Sequence, residues 1–595
     1  MKSLLSLTKY LSKYKNYLII GLVFILFSNV FAILIPPIVR ESIDGVLLLL
    51  DEGKMPKYHN FIQHYFQSKS GIAILSSGLI LLSAFLKGIC MYFMRMTIII
   101  MSRYIEFDQK NDIFKHYQSL GQDFYAKNYT GDLMNRISDD VSKVRMFTGP
   151  AIMYTLNLTC MIIMVVSLMF YINSRITLYV LIPLPILALS IYFVSDAMNK
   201  RSDLIQQRLS KITSFVQETF SGVQVLKSYA AESYFIREFR EYNSNYKKDN
   251  MSLVRVNGIF MPAVLALIGM SILITVYVGG NAVVANQFTL GNIVEYIIYV
   301  NMLTWPVTSI GYVTSLVQRA SASQNRIDEF MNTTPMKHKG DLKIENLSIN
   351  IEFRDVWFRY DESNEWVLKS VNFVINSQSK VGILGTTGAG KSTIAKLLTG
   401  IHEPSRGSIF IDGIPIQDYS KTSLSSIYGY VSQDIFLFSD SIKNNILMGC
   451  NSNQDQSNLD SVIKCTELQN EINSFPNKIE TVLGERGITL SGGQKQRVSL
   501  ARALIKKPSV LIIDNGMSAV DTKTEALLKQ NINSWSEANT TVYISHRIST
   551  VQDCDSIILL DGGKIIEISS HQKLIKSNDI YLKLFSKQLS VDDNS

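Results

Sequence analysis

The run GTTGAGKST, Gly385 to Thr393, brings three glycines together with a lysine, a serine and three threonines. A β-like run, KVGIL, precedes it and a helical run, IAKLLTG, follows. Glycines at Gly385, Gly388 and Gly390 let backbone N–H groups wrap phosphate oxygens at a helix start, where the dipole also favours anions. Lys391 is expected to reach the β- and γ-phosphates and Ser392 to ligate Mg²⁺, with Thr393 completing the loop. A second apolar run, SVLIIDNG, carries Asp514 to the end of a buried strand, where its carboxylate can help to hold the same metal. Between the two lies LSGGQ, Leu490 to Gln494, opening the helical run KQRVSLARALI. Ser491, Gly492, Gly493 and Gln494 form a second phosphate receptor at a helix N-terminus. One nucleotide cannot use two such receptors on the same face of one domain. The expected solution is a head-to-tail dimer, each LSGGQ closing over the ATP held by its partner.

The elements around these motifs alternate β and α runs, an α/β P-loop NTPase domain expected over residues 351–589. The first half of the chain is different. Apolar residues make up 47% of the 595 and charged residues only 18%, which points to buried or lipid-facing helices rather than an all-soluble chain. Six stretches reach the roughly 20 apolar residues a bilayer span needs, near 17–39, 72–100, 148–172, 176–198, 258–280 and 290–317. They predict an α-helical membrane domain over 1–325, joined through a polar linker at 326–350 where Pro335 and Gly340 break the helix. Long polar connections separate spans two from three and four from five. They carry helical spacing and read as membrane helices running on into the cytosol, each pair joined by a short transverse piece. Lys2, Lys9, Lys13 and Lys15 precede the first span, which makes that side, and hence both termini, cytoplasmic.

The net charge of +8 is scattered beside apolar runs rather than gathered in a stripe, so nucleic acid is not an expected partner. Cys90, Cys160, Cys450, Cys465 and Cys554 lack metal-site or redox spacing and read as isolated reduced thiols. Glu295 and Lys87 are charges inside spans, with Arg40 near the outer end of the first. The expectation for Glu295 and Lys87 is an ion pair or a polar cavity wall, with substrate contact as the alternative.

With these motifs in hand, the chain resembles ATP-binding-cassette (ABC) half-transporters of the bacterial multidrug and lipid-flippase exporter type. The fragments FYAKNYTGDLMNRISDDV and SGVQVLKSYAAE carry the likeness through the membrane half. The resemblance implies that Tyr360 stacks on adenine and that Gln433, in YVSQD, touches Mg²⁺ and senses the membrane domain. Thr481 to Gly487 is similar to the X-loop, and Ser518 to Asp521 to the D-loop. His546, in ISHR, corresponds to the γ-phosphate-sensing switch histidine. Competent sites of the family carry Glu directly after the Mg²⁺-linked Asp, whereas here that residue is Asn515. An amide is an extremely poor base, so ATP binding should persist while hydrolysis at this chain's own site is slow.

Three explanations for Asn515 stand side by side. The favoured one is a heterodimer with one naturally impaired site, since DNGMSAVDTKTE is similar to a subunit type that keeps a good LSGGQ for its partner's site. The others are a slow homodimer and an engineered trapping substitution. The expected function is ATP-driven export or lipid flipping across a bacterial inner (plasma) membrane. A hydrophobic or amphipathic small molecule, lipid or peptide is the expected cargo. An ATP-gated, non-transporting regulator or channel on the same fold is the alternative.

Overall fold

The computed structural model describes residues 2–48, 69–335, 340–344, 348–361, 365–450, 455–484, 487, 490–517, 519–535 and 539–592. The chain divides into two compact units, Met1–Gln118 with Tyr129–Thr334, and Ser119–Asn128 with Pro335–Ser595.

The first unit is helical. Among the described residues, six of its helical segments are long and apolar enough to cross a membrane: Lys15–Leu47, Ala73–Ser119, Thr130–Ile172, Ser174–Ser221, Glu232–Val284 and Leu290–Met331. Each apolar stretch expected from the sequence lies in one of them. The helices far outrun a bilayer. Glu232–Val284 has 53 residues, about 80 Å at the α-helical rise, against a hydrocarbon core of about 30 Å. The long polar connections are therefore helix, broken only at two short pieces, Gln122–Lys127 and Val223–Ser228. The last long helix continues to Met331, so the polar stretch from residue 326 begins inside it.

Composition explains the outer surface of this unit. Phe85, Leu265 and Leu273 are among many large apolar side chains left exposed on the spans, as lipid-facing positions require. The buried carboxylate of this unit's last long helix is paired. Glu295 is fully buried and accepts bonds from Arg40 (3.1 Å), Tyr299 (3.0 Å) and Asn292 (3.5 Å). Glu295 is thus an ion-pair partner, and the partner is Arg40. Lys87 is half-buried and makes no ion pair among the described residues. Around Pro150, which lacks an N–H, the third span widens into a π turn at Phe147–Ala151.

The second unit is built on two sheets. Strands β1 (Ile351–Phe358), β2 (Leu368–Ile375), β4 (Arg406–Ile411) and β5 (Ile414–Pro415) form an antiparallel sheet in the order β2-β1-β4-β5. The other sheet has the order β10-β9-β3-β8-β7-β6. Its strands are β3 (Lys380–Gly385), β6 (Tyr428–Val431), β7 (Val510–Asp514), β8 (Thr540–Ser545), β9 (Ser556–Asp561) and β10 (Lys564–Ser569). From β9 through β6 the strands run parallel, and β7 and β8 are buried along their whole length. Both faces of such strands are covered, which is why they read as continuous Val/Ile runs rather than alternating ones. Parallel neighbours end at the same edge, so the residues following β3, β6, β7 and β8 emerge side by side. That edge carries the chemistry.

Candidate functional site

Gly385 closes β3, and the loop after it leads into the helix Lys391–Leu398. Gly388 and Gly390 hold φ of +85° and +98°, a region that side chains disfavour, so the loop's turn depends on glycine at both. The helix is anchored by Ile394, Ala395, Leu397 and Leu398, all fully buried, which leaves its N-terminus fixed against the sheet edge. Lys391 Nζ donates to the carbonyls of Gly385 (2.9 Å) and Thr386 (2.8 Å), spanning the loop from its own helix. Burial holds this ammonium below the usual lysine range, with the Asp514 carboxylate opposing the shift.

Asp514 ends β7 and is 1% exposed, and neither of its carboxylate oxygens has a hydrogen-bond partner. Burial raises it above the usual carboxylate range, against the pull of the nearby Ser392 hydroxyl and of the Lys391 charge. An unpartnered buried carboxylate is costly unless a cation neutralises it. The Ser392 hydroxyl donates to Gln433 Oε1 at 3.3 Å. Asp514, Ser392 and Gln433 together form an all-oxygen donor set, as a hard cation such as Mg²⁺ requires. These residues fit the metal.

Asn515 follows Asp514 with φ of +49°, a conformation Asn tolerates better than most residues. Its backbone N–H donates to Ile544 on β8, and its Oδ1 lies 3.3 Å from His546 Nδ1. His546 follows β8. Burial depresses its pKa, helped by the cations of Arg547 and Lys391, so the imidazole is neutral at neutral pH. Tyr360 stands just past β1, with its ring half exposed and its hydroxyl 3.0 Å from Thr393 Oγ1. Phe358 and His402 pack edge-on against that ring, and Lys396 Nζ lies 5.5 Å from its centre.

A cavity of about 480 Å³ gathers Tyr360, Gly388, Gly390, Lys391, Ser392, Thr393, Gln433, Asn515 and His546 on its walls. An aromatic face, a phosphate loop, the Ser392 and Gln433 oxygens and a neutral imidazole thus share one cleft, while Asp514 and Gly385, at the ends of β7 and β3, do not line it. Ser491, Gly492, Gly493, Gln494 and Asp521 do not line it. Ser491 and Gln494 instead close the start of the helix Gly492–Leu504 by a reciprocal capping box, Ser491 N–H to Gln494 Oε1 at 2.9 Å and Gln494 N–H to Ser491 Oγ at 3.3 Å. Asp521 accepts the Thr524 backbone N–H at 3.0 Å, at the start of the helix Thr522–Trp535. That bond holds its carboxyl below the usual range. Ser518 of the expected D-loop, and Glu485 and Arg486 of the expected X-loop, lie outside the described residues.

Two groups escaped the sequence reading. Gln496 donates to the Asn515 carbonyl (3.2 Å) and accepts from the Ala519 N–H (3.0 Å), tying the LSGGQ helix at two points to the loop after β7. Asp123 and His402 meet at 3.2 Å, with the His402 side chain only 5% exposed. The short helix Gln122–Lys127 therefore packs beside the aromatic cluster of Tyr360, and Lys127 also reaches Asp361 at 3.2 Å. A glutamine inside a helical run and a histidine after a helix carry no motif, so no local signal singles them out.

Comparison with known proteins follows the same lines. A family model described as "ABC transporter transmembrane region" matches residues 18–307, and one described as "ABC transporter" matches 368–518. A probable multidrug resistance ABC transporter ATP-binding/permease protein, YheI of Bacillus subtilis, is 35% identical over 80% of this chain and 82% of its own. An ATP-dependent lipid A-core flippase of Aromatoleum aromaticum is 29% identical, covering 81% of this chain and 80% of its own. In fold, the chain is similar to a bacterial Atm1-family ABC exporter solved with ATP bound. The TM-score is 0.78 over 96% of this chain and 98% of that one, at 22% identity.

Proposed function

Since the chain belongs to the ABC transporters, with membrane and ATP-binding regions fused as in exporters, we propose that it is a half-transporter driving export or lipid flipping with ATP. The observation that carries this reading is the cleft at the edge of the β3–β8–β7 sheet in the same chain as six membrane-length helices. Adenine stacks on Tyr360, the phosphates lie against the loop and Lys391, and Asp514, Ser392 and Gln433 hold Mg²⁺. When bound, the metal neutralises phosphate charge. His546 contacts the γ-phosphate as a neutral hydrogen-bonding group. Asn515 occupies the position of the general base without supplying one, so this site binds ATP and turns it over slowly.

The LSGGQ helix start lies outside the cleft and serves the nucleotide of a second chain, in a head-to-tail dimer. A heterodimer is favoured, because the capping box of Ser491 and Gln494 is intact while the base is lost. Both termini are cytoplasmic and the membrane is the bacterial inner membrane. The relatives named for multidrug resistance and lipid A-core flipping favour an amphipathic cargo. A second reading, an ATP-gated switch without transport, is favoured by Asn515 alone.

Reconstitution into liposomes separates the two. The chain is tested alone and with any half-transporter encoded beside it, using a fluorescent phospholipid and an amphipathic dye as probes. ATP-dependent movement of either probe, abolished by Lys391→Ala, is the expected result. No movement under either condition, together with retained ATP-dependent dimerisation, would overturn transport in favour of the switch.

A further inference from the structure

Two Asn–Gly pairs occur in the chain, Asn257–Gly258 and Asn515–Gly516. Both asparagines are open to water to some degree, Asn257 exposed and Asn515 half-buried on the cleft wall. Their backbones differ. Asn257 sits deep inside the helix Glu232–Val284, where the Gly258 amide is held in the helical ladder and its peptide cannot turn. Asn515 sits past the end of β7 in a left-handed turn, and among the described residues the Gly516 N–H donates no hydrogen bond. His546 Nδ1 lies 3.3 Å from the Asn515 side-chain carbonyl oxygen, close enough for an N–H there to polarise that carbonyl. Gly516 is also locked in as glycine. A Cβ there would come within 2.8 Å of Ile513 and 2.9 Å of Val431, so packing keeps the residue after Asn515 without a side chain.

We propose that Asn515 is a self-modification site, deamidating through the Gly516 backbone to convert the amide at the hydrolytic position into a carboxylate. The Gly516 nitrogen attacks Asn515 Cγ, a C–N bond forms, and the side-chain amide leaves as ammonia, carrying the proton lost by the Gly516 nitrogen. The resulting five-membered imide is opened by one water molecule. Cleavage at Cγ–N leaves aspartate in the normal chain, and cleavage at the backbone carbonyl leaves isoaspartate. No oxidant, cofactor or second enzyme is required. The Asn257 pair has the same atoms and lacks the turn, so the fold selects between them. The effect on turnover rests on the reading of position 515 given above, whereas the modification itself does not.

The test ages the purified full-length chain in lipid nanodiscs at mildly alkaline pH and maps its peptides by mass. Isoaspartate is detected by enzymatic methylation. The amide-to-acid mass change is expected to accumulate several-fold faster at Asn515 than at Asn257, and Asn515→Gln should reduce total isoaspartate to the Asn257 level. Equal or slower conversion at Asn515 overturns the proposal, as does isoaspartate undiminished by Asn515→Gln. ATPase rates are followed in parallel against an Asn515→Asp chain. Conversion at Asn515 with a rate that does not move toward that of Asn515→Asp upholds the modification and overturns the catalytic reading of position 515.

Discussion

An amide at position 515 alters both charge and reach at the point where an attacking water would be activated. Asn cannot take the proton, and it is one methylene shorter than the Glu of competent sites. The phosphate loop, Lys391, Ser392 and Gln433 nevertheless all line the cleft. Asn515→Glu is therefore expected to raise phosphate release by about tenfold or more, with little change in nucleotide affinity. The same substitution should cost about 1–2 kcal/mol of stability, because residue 515 is left-handed (φ +49°) and Glu tolerates that region less well. Phosphate release and thermal melting of one variant check both signs. A flat or lower rate would move the impaired step away from this residue. The position of Asn515 after Asp514 was legible in the sequence. Its left-handed turn and its contact with His546 were not, because they arise where two strands distant in sequence become parallel neighbours.

The helix Gln122–Lys127 and the strand β1 meet at His402, whose ring touches Phe358 and Tyr360 and whose Nδ1 faces Asp123. Burial depresses the histidine, Lys396 adds to the shift, and Asp123 opposes it without winning. The contact is thus a close approach of a neutral imidazole to the Asp123 carboxylate rather than an ion pair. With the folded pKa below the unfolded one, protons favour the unfolded chain. Its stabilisation is complete above about pH 6.5, the unperturbed value, and is lost as pH falls from there toward the depressed one. Melting temperature should therefore drop between neutral pH and about pH 5, and His402→Phe should flatten that slope. Parallel curves for both chains would absolve the imidazole. Among the membrane helices, Glu295→Ala leaves Arg40 with only its 3.6 Å contact to Glu41, and the cost should stay below the roughly 3–5 kcal/mol of a fully uncompensated buried charge. The double change Arg40→Met with Glu295→Leu should recover most of that in a detergent unfolding series.

At the scale of the whole molecule, the phosphate loop and the LSGGQ helix present two phosphate receptors that one cleft does not unite. Gly492 leaves space for a side chain, since a Cβ there would meet only Ala519 Cβ at 3.4 Å. Gly492→Asp should therefore fold normally, and its charge at a helix start even favours the helix. The same charge would repel a partner's γ-phosphate. ATP binding to the monomer should be unchanged, while ATP-dependent association, read by light scattering or cross-linking, should be lost. Association that survives Gly492→Asp would argue against the head-to-tail pair.

The sequence by itself determined the class of machine. The glycine loop, the Asp-terminated strand, LSGGQ and the spans are each written in one consecutive stretch, where local backbone demands and hydropathy suffice. Nine of the expected site residues then line one cleft, because parallel strands carry their following loops to a common edge. Tertiary structure decided the partnerships. Arg40 meets Glu295 across most of the first unit's sequence, Gln496 links the LSGGQ helix to the loop after β7, and Ser119–Asn128 belongs with the second unit rather than the first. Those choices follow from which buried polar groups must find partners, and a buried group's partner is set by packing in space, not by distance along the chain.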